Sequence, residues 1–197
     1  MNKRTWILIG IILLGGIVIY NFTIAPYNSM VGLDQNVKAQ WAQVENVYQR
    51  RADLIPNLVN TVKGYANFEK STLTQVIEAR AKATQVTVDP KNLSPEAIQK
   101  FQQAQGQLST ALGRLLVVAE QYPQLKANQN FLELQSQLEG TENRITQERK
   151  KFNEAAQGYN TYILSFPNNL TAGMFGFKEK GYFEADKGAE KVPVVKF

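Results

Sequence analysis

The chain is organised around the ten residues Arg50–Val59, which read RRADLIPNLV. They place two cations, a carboxylate and a proline inside a helical pattern of apolar residues. The pattern repeats every three or four positions and defines one buried face, formed by Tyr48, Arg51, Ile55, Leu58, Val62 and Tyr65. A charge on a buried face is costly without a partner, and Pro56 lacks the N–H that a helix interior uses. The stretch therefore predicts a polar cluster next to a helix kink at Pro56.

Helical periodicity continues on both sides of this stretch and predicts an all-α protein. Four helices are expected: residues 28–63, a shorter helix that ends before residues 86–90, a third from the cap signal Ser94-Pro95-Glu96 to Tyr122-Pro123, and a fourth from Asn128 or Asn130 to Pro167. The first and fourth would match at roughly 37 residues, or about 55 Å. Matched lengths favour an antiparallel up-down four-helix bundle with long first and fourth helices. The alternative is a first helix that continues past Gly64, which would need a second copy of the chain to cover its exposed face.

An uncharged stretch precedes the bundle. No residue from Thr5 to Leu33 is charged, and residues 6–20 read WILIGIILLGGIVIY. A helix of about 20 apolar residues spans a bilayer core, and aromatic residues favour its two interfaces, here Trp6 at one end and Tyr20 or Tyr27 at the other. We therefore expect a short flank over residues 1–5, a transmembrane anchor in contact with membrane lipid over residues 6–27, and a bundle domain over residues 28–166.

A cleaved signal peptide is the alternative to an anchor. Its best cleavage site, Thr23-Ile24-Ala25, has no small residue at the first of these positions and is followed by Pro26. The chain also has no cysteine for lipid attachment. These features favour an uncleaved anchor.

The charges that flank the span predict its orientation. Lys3 and Arg4 precede it, whereas the near side after it has only Lys38, beside Asp34. The positive-inside rule then predicts a single-pass protein of the cell (inner) membrane with its body outside the cytoplasm.

Composition excludes several classes of chemistry. The chain has no cysteine and no histidine, so thiolate chemistry, disulfides, zinc fingers and histidine-based triads are excluded. Metal sites in bundles use Glu-x-x-His pairs, so Glu120, Glu139 and Glu142 are not expected to hold a metal. The net charge is +5 without a basic stripe, which argues against a nucleic-acid partner. We expect no catalytic residue and no cofactor.

The helical pattern stops after Pro167, so we expect a Gly-rich and aromatic extension over residues 167–197. Residues 168–183 read NNLTAGMFGFKEKGYF, and their aromatic side chains are too many for a free linker. We expect them to pack on the bundle or on a partner. Residues 185–197 are expected to form a mobile tail. Residues 192–197 are extended in character and could add as a strand to a partner's sheet edge, with a disordered terminus as the alternative.

Antiparallel first and fourth helices predict which residues Arg51 meets. If residue 28 lies level with about residue 165, Arg51 lies level with Glu142, and Asp53 lies within a turn of Arg144. A carboxylate across the interface would satisfy the buried guanidinium, so removing either partner should be strongly destabilising. The alternative is a ligand at this place.

Six stretches match a known pattern: RRADLIPNLV at residues 50–59, VKGY at 62–65, EQYPQLKAN at 120–128, LEGTENRI at 138–145, Tyr159-Asn160 and Phe166-Pro167. They resemble the LemA family of bacterial membrane-anchored proteins, over a range from Tyr27 to about Phe183. The resemblance implies a helical bundle tethered by one N-terminal membrane helix, with no established catalytic activity. Some family members neighbour membrane metalloproteases or are tied to membrane remodelling, which hints at protein partners in the membrane.

These features predict a membrane-anchored helical scaffold or protein-interaction module of the bacterial envelope, without catalysis. The alternative is a ligand-sensing or enzymatic domain that uses a polar pocket around Arg51 and Glu142. Truncation distinguishes the two. A scaffold should lose its function without its anchor or tail, whereas a sensor or enzyme should keep ligand binding or activity when soluble.

Overall fold

The computed structural model describes residues 3–64 and 69–185, and the regular elements within these ranges are all helices. They are α1 (Lys3–Ile19), a π-helical segment (Tyr20–Ile24), α2 (Ala25–Lys63), α3 (Lys70–Gln85), α4 (Pro95–Ala119), α5 (Pro123–Lys126), α6 (Gln129–Leu164) and α7 (Asn168–Phe175). The all-α class predicted from the periodicity is confirmed.

The chain forms two compact units. The N-terminal unit comprises Met1–Val47 and Ile145–Lys180, and the central unit comprises Tyr48–Arg144 and Gly181–Phe197. Helices α2 and α6 each contribute residues to both units.

In the N-terminal unit, the apolar segment continues into α2 without a loop. The sequence pattern predicted a new helix from about residue 28, whereas α1, the π-helical segment and α2 follow one another directly. The π-helical turn lies immediately before Pro26 and ends with a bond from the Ala25 N–H to the Tyr20 carbonyl. This wider turn makes room for the proline ring, which would crowd the preceding turn of an α-helix. Within the described residues, Lys3–Lys63 is the one helical stretch long and apolar enough to cross a membrane.

Large side chains of α2 and α6 form the core of the N-terminal unit. The rings of Trp41 and Phe152 meet edge to face, with centroids 5.5 Å apart. Both side chains are fully buried, and burial of one such ring contributes roughly 1.5–3 kcal/mol. The other large buried residues of this core are Met30, Val37, Val44, Ile145, Tyr159 and Ile163. The apolar face predicted for the first and last helices is therefore buried here.

The central unit has one hydrophobic core to which parts of α2, α3, α4 and α6 contribute. Its fully buried members include Leu58, Val62, Val76, Leu108, Leu115 and Leu125. Helices α3 and α4 run in opposite directions. Gln105 Nε2 donates to the Ala83 carbonyl at 3.3 Å, and Arg114 Nη1 donates to Gln75 Oε1 at 3.5 Å.

Two predicted helix starts are confirmed. Ser94 Oγ accepts a hydrogen bond from the Ala97 N–H at 3.3 Å, with Pro95 as the first residue of α4. Asn128 Oδ1 accepts one from the Phe131 N–H at 3.0 Å in the first turn of α6. Each cap satisfies an N–H that the helix cannot, which contributes about 1 kcal/mol. Helix α2 ends at Lys63, and α2 and α6 have 39 and 36 residues, close to the expected lengths.

The segment after Lys180 lies along α4 in the central unit. The Gly181 N–H donates to the Leu93 carbonyl at 2.9 Å, and Gln102 exchanges two hydrogen bonds with the backbone of Glu184 at 2.8 and 3.0 Å. A Cβ at Gly181 would lie 2.7 Å from Pro95 Cα. Only glycine therefore fits at this close approach.

Two short helices were not predicted. Helix α5 has four residues and α7 has eight. Elements this short carry little periodicity and depend on tertiary contacts. Gly176, at φ 74°, ends α7, and its N–H donates to the Ala172 carbonyl. The aromatic residues of the extension differ in burial. Phe183 is buried, whereas Phe175 and Tyr182 are exposed.

Some sequence predictions fall outside the described residues. They concern the tail from residue 186 onward, the strand-like residues 192–197, Tyr65 of the apolar face, and residues 1–2 of the N-terminal flank.

Candidate functional site: a buried arginine cluster

Arg51 lies in the central unit with its side chain 2% exposed, among α2, α4 and α6. Its Nη1 donates to Ser109 Oγ at 2.8 Å and to Glu142 Oε2 at 2.9 Å. Its Nη2 donates to Gln105 Oε1 at 2.8 Å and to the Gln105 backbone carbonyl at 3.4 Å. A single guanidinium therefore joins three helices through four acceptors.

An aromatic ring covers the guanidinium as well. The Arg51 Cζ lies 5.0 Å from the centroid of the Tyr48 ring, one turn earlier on α2. A cation in this position gains roughly 0.5–2 kcal/mol from the ring. Of the guanidinium nitrogens, Nε is buried and has no hydrogen-bond partner among the residues that the structure describes. The space around the charge is thus filled by side chains of the protein, which favours a structural role for Arg51.

Glu142 contributes less to the cluster than the sequence suggested. The structure brings Arg51 and Glu142 together, but the Glu142 side chain is 53% exposed while that of Arg51 is 2% exposed. The expectation of a pair buried on both sides is therefore wrong for the carboxylate. A half-exposed carboxylate is screened by water, so its attraction to Arg51 is modest.

The buried partners of Arg51 are Gln105 and Ser109 on α4, which the sequence reasoning missed. The signal was present, because Gln105 interrupts an apolar stripe. It follows Ile98 and Phe101 and precedes Leu108 at helical spacing, and its side chain is 7% exposed. A polar residue on such a stripe needs a partner in the core.

Two other residues predicted for this cluster lie elsewhere. Asp53 is exposed and accepts a hydrogen bond from Gln49 Nε2 at 2.8 Å within α2. Arg144 is exposed on α6. Neither is among the groups that the guanidinium of Arg51 contacts in the described part of the chain.

Pro56 lies inside α2, which continues through it to Lys63. A proline at position 56 cannot donate to the carbonyl of residue 52, four residues earlier. Arg80 of α3 takes the place of that donor, because its Nε donates to the Ala52 carbonyl at 2.8 Å. The proline thus creates a free acceptor that ties α3 to α2. The bend expected at Pro56 stays a prediction.

Substitution of Arg80 by methionine should cost about 1–3 kcal/mol of unfolding free energy, because the Ala52 carbonyl loses its donor. The loss should be smaller in a Pro56→Ala background, where the restored N–H of residue 56 can bond that carbonyl within the helix. Urea unfolding of the full-length chain in detergent, followed by far-UV circular dichroism, measures the four-variant cycle. Lys82→Met, an exposed change on the same helix, serves as the control and should not couple to Pro56. Strictly additive losses for Arg80 and Pro56 would contradict the link.

A second polar cluster, which was not predicted from the sequence, lies in the N-terminal unit. The Lys180 side chain is 9% exposed, and its Nζ lies 2.6 Å from Asp34 Oδ1. The same ammonium lies 5.2 Å from the centroid of the Tyr159 ring. Lys38, one turn after Asp34, pairs with the other carboxylate oxygen at 2.5 Å. Asp34, the first charged residue after the uncharged stretch, therefore neutralises Lys180, which lies at the other end of the unit's sequence.

Asn160 fixes the backbone at Lys180. Its Nδ2 donates to the Lys180 carbonyl at 2.9 Å, and its Oδ1 accepts from the Lys180 N–H at 2.8 Å. The two hydrogen bonds satisfy both the N–H and the carbonyl of Lys180, and Asn160 itself is 4% exposed. The signal for this residue was its place in the Tyr159-Asn160 motif.

The charges of this second cluster shift two pKa values. Burial acts to raise the pKa of the Asp34 carboxyl, but the hydrogen bonds and charges of Lys180 and Lys38 outweigh it and hold the pKa below its usual value. Burial and the negative charge of Asp34 raise the pKa of the Tyr159 phenol to about 12. Asp34 is therefore ionised and Tyr159 neutral at physiological pH.

The central unit also has a surface groove of about 410 Å³ between α2 and α6. It is lined by Leu54, Asn57, Asn60, Thr61, Asn130, Glu133, Leu134 and Gln137. None of these residues bonds to the Arg51 guanidinium, so the groove is separate from the arginine cluster. Across residues 3–64 and 69–185, no group of three or more Asp or Glu side chains is arranged to hold a metal ion.

Comparison with known proteins places these features in a family. The model of the LemA family matches residues 40–197. Magnetosome protein MamQ 2 of Paramagnetospirillum magneticum is 28% identical over 186 residues, which cover 86% of this chain and 68% of that protein. Magnetosome protein MamQ of Magnetospirillum gryphiswaldense is 27% identical over the same coverage. Protein LemA of Metamycoplasma hominis is 24% identical over 194 residues, which cover 98% of this chain and 84% of that protein.

Proposed function

Because this chain belongs to the LemA family, we propose that it is a membrane-anchored helical scaffold, or protein-interaction module, of the bacterial envelope. Its body presents helix faces to protein partners, and its N-terminal helix holds that body at the membrane. The proposal extends to the body's architecture, an antiparallel up-down bundle of α2, α3, α4 and α6.

The exposure of the N-terminal helix carries this proposal. Ile12 is 71% exposed, Leu14 is 64% exposed, and none of the residues of α1 is buried. Each such side chain gains roughly 1.5–3 kcal/mol when it leaves water. A bilayer accepts all of them at once, since a helix with satisfied backbone bonds can span it.

Contacts made before Ala25 support an anchor that stays attached. Thr171 of α7 donates through Oγ1 to the Phe22 carbonyl at 2.8 Å. Cleavage after Ala25 would remove Phe22 and break a continuous helical path. A segment that the folded body contacts in this way is better explained as part of the mature protein than as a signal peptide.

The arginine cluster supports a structural rather than a chemical role. Its charge is engaged by Gln105, Ser109 and Glu142, and a filled cluster leaves little room for a substrate. Fixing three helices with one buried cation suits a body whose surface must keep a defined shape.

Crosslinking in native membranes tests the scaffold proposal. The full-length chain, with a photo-crosslinker at an exposed position of α6, should capture a reproducible set of membrane proteins. A matched chain that starts at residue 28 should lose that set. A soluble chain that retains specific ligand binding or turnover, while the full-length chain captures no partner, would replace the scaffold with a sensor or enzyme.

We expect the body to lie outside the cytoplasm, because Lys3 and Arg4 are the cations that flank the span on its N-terminal side. The natural chain has no cysteine, so one introduced thiol reports one position. Gln147→Cys, exposed on α6, should react with a membrane-impermeant maleimide on intact spheroplasts. Thr5→Cys should react only after the membrane is permeabilised. The reverse pattern would place the body in the cytoplasm.

A further inference from the structure

Helix α7 lies against the end of the apolar N-terminal segment, within the N-terminal unit. Its Thr171 hydroxyl donates to the Phe22 carbonyl at 2.8 Å. The ring of Tyr27 lies 4.8 Å from that of Phe175 and 5.7 Å from that of Phe177, centroid to centroid. Hydrogen bonding and ring contacts therefore hold α7 beside the last turns of the expected membrane span.

The opposite side of α7 carries an apolar row that the described residues leave uncovered. Phe166, Leu170 and Met174 are spaced by four residues, which places the last two on one side of α7 and the first just before it. They are 81%, 65% and 68% exposed. Single exposed apolar residues are common, but a row of three large ones marks an interaction surface.

A row without large side chains runs next to the apolar one. Asn169 and Gly173 follow the same spacing by four and are exposed too, whereas Thr171 and Ala172 are buried against the protein. Helix α7 thus has a buried side, an apolar exposed side and an exposed side whose one side chain is the Asn169 amide. This division is typical of a helix that lies in a membrane interface.

The depth of α7 agrees with such an interface. Thr171 contacts Phe22, which precedes Tyr27, the end of the expected span, by five residues. At a rise of 1.5 Å per residue, Thr171 in the middle of α7 lies about 8 Å inside that end, and Phe175 at the end of α7 lies level with Tyr27. Interfacial helices bury their apolar side roughly 5–10 Å into the boundary between headgroups and acyl chains.

We propose that α7 is a second membrane contact, an interfacial helix whose row of Phe166, Leu170 and Met174 inserts among the lipids around the anchor. The occupant of the row is the bilayer itself, because the contacts to Phe22 and Tyr27 place the row where the anchor meets the membrane surface. The inference rests on the proposed anchor. By this inference the folded body binds the membrane directly through α7, in addition to its attachment through the N-terminal helix.

Depth-dependent quenching tests this contact in the full-length chain. Single cysteines replace Met174 on the apolar row, Asn169 on the neighbouring row, and Leu13 in the anchor. Each variant carries one environment-sensitive fluorophore and is reconstituted into phosphatidylcholine vesicles. Bromine atoms on the lipid chains quench labels in the bilayer, and aqueous iodide quenches labels in water.

The Met174 label should be quenched by brominated lipid several-fold more than the Asn169 label, with the opposite order for iodide. Equal quenching of both labels by iodide would place the row in water and overturn the inference. Protection of the Met174 label from both quenchers would assign the row to a protein contact and overturn it as well. The Leu13 label separates the two proposals. If brominated lipid quenches Leu13 but not Met174, the anchor stands and α7 does not insert, whereas if it quenches neither, both proposals fail.

Discussion

Replacement of Asp34 by alanine should lower the unfolding free energy by about 3–5 kcal/mol, because it leaves a buried ammonium without its counter-charge. Lys180 is 9% exposed and loses its carboxylate acceptor at 2.6 Å. Urea unfolding of the full-length chain in detergent measures the loss. The chain has two tryptophans. In a Trp6→Phe background, Trp41 in the core of the same unit is the remaining one, so its fluorescence follows the unfolding of that unit.

Two further variants separate the charge from general damage. Lys38 is the more exposed partner of Asp34, with its own side chain 26% exposed. Lys38→Met should therefore lower the unfolding free energy by less than about 1 kcal/mol. The double variant Asp34→Ala/Lys180→Met should recover much of the loss, since no buried charge remains unpaired. A double variant as unstable as the sum of its single changes would show that Asp34 and Lys180 are not energetically coupled.

The lowered pKa of Asp34 also fixes the pH at which this stabilisation disappears. Its pKa in the folded chain lies below the usual 3.8, so the folded chain holds the ionised form more tightly than the unfolded chain does. The contribution is complete above the unfolded pKa and is lost as the pH falls through the folded pKa. The stability difference between the natural chain and Asp34→Ala should therefore be constant from pH 7 down to about pH 5 and should shrink below about pH 4.

Replacement of Arg51 by methionine should cost at least about 1–3 kcal/mol, because the buried Gln105 Oε1 loses its donor. The Glu142→Gln change should cost less than about 1 kcal/mol, since that carboxylate is 53% exposed. The sequence predicted a strong loss for each of the two changes, whereas the structure predicts a strong loss for Arg51 only. Arg50→Met, an exposed neighbour, is the control.

A double-mutant cycle identifies the main partner of Arg51. The double variant Arg51→Met/Gln105→Met should lose less than the sum of its single changes by more than about 0.5 kcal/mol. The coupling of Arg51 with Glu142 should be smaller. Far-UV circular dichroism during urea unfolding of the full-length chain provides the values. A larger coupling energy with Glu142 than with Gln105 would show that the Glu142 carboxylate is the main partner of Arg51.

Patterns local to one helix predicted much of this fold. The spacing of Leu108, Leu112 and Leu115 marks a buried face without knowledge of its neighbours, and the cap at Ser94 depends on residues within one turn. Such features follow from helix geometry and unsatisfied backbone groups. They are readable because cause and effect lie a few residues apart.

Features that depend on distant contacts were harder to predict. Lys180 meets Asp34 from a segment outside the helices, which has no periodicity, so no spacing rule joins them. The Arg51 partner was sought among charges on the fourth helix, and the neutral amide of Gln105 was overlooked although a buried guanidinium donates to any well-placed oxygen. The Ala52 carbonyl freed by Pro56 was foreseeable, but its donor, Arg80, was not.

The direct passage from α1 through the π-helical segment into α2 also governs rotation. A helix turns by about 100° per residue, so one alanine inserted between Phe22 and Met30 would rotate the preceding helix by that angle relative to the core of the N-terminal unit. The Phe22 carbonyl and the Tyr27 ring could not both keep their places beside α7. An insertion of seven residues, close to two full turns, would nearly restore the angle. The N-terminal helix is thus fixed in phase as well as in position, and a torque applied to it would reach the core of the N-terminal unit as a turn about the helix axis.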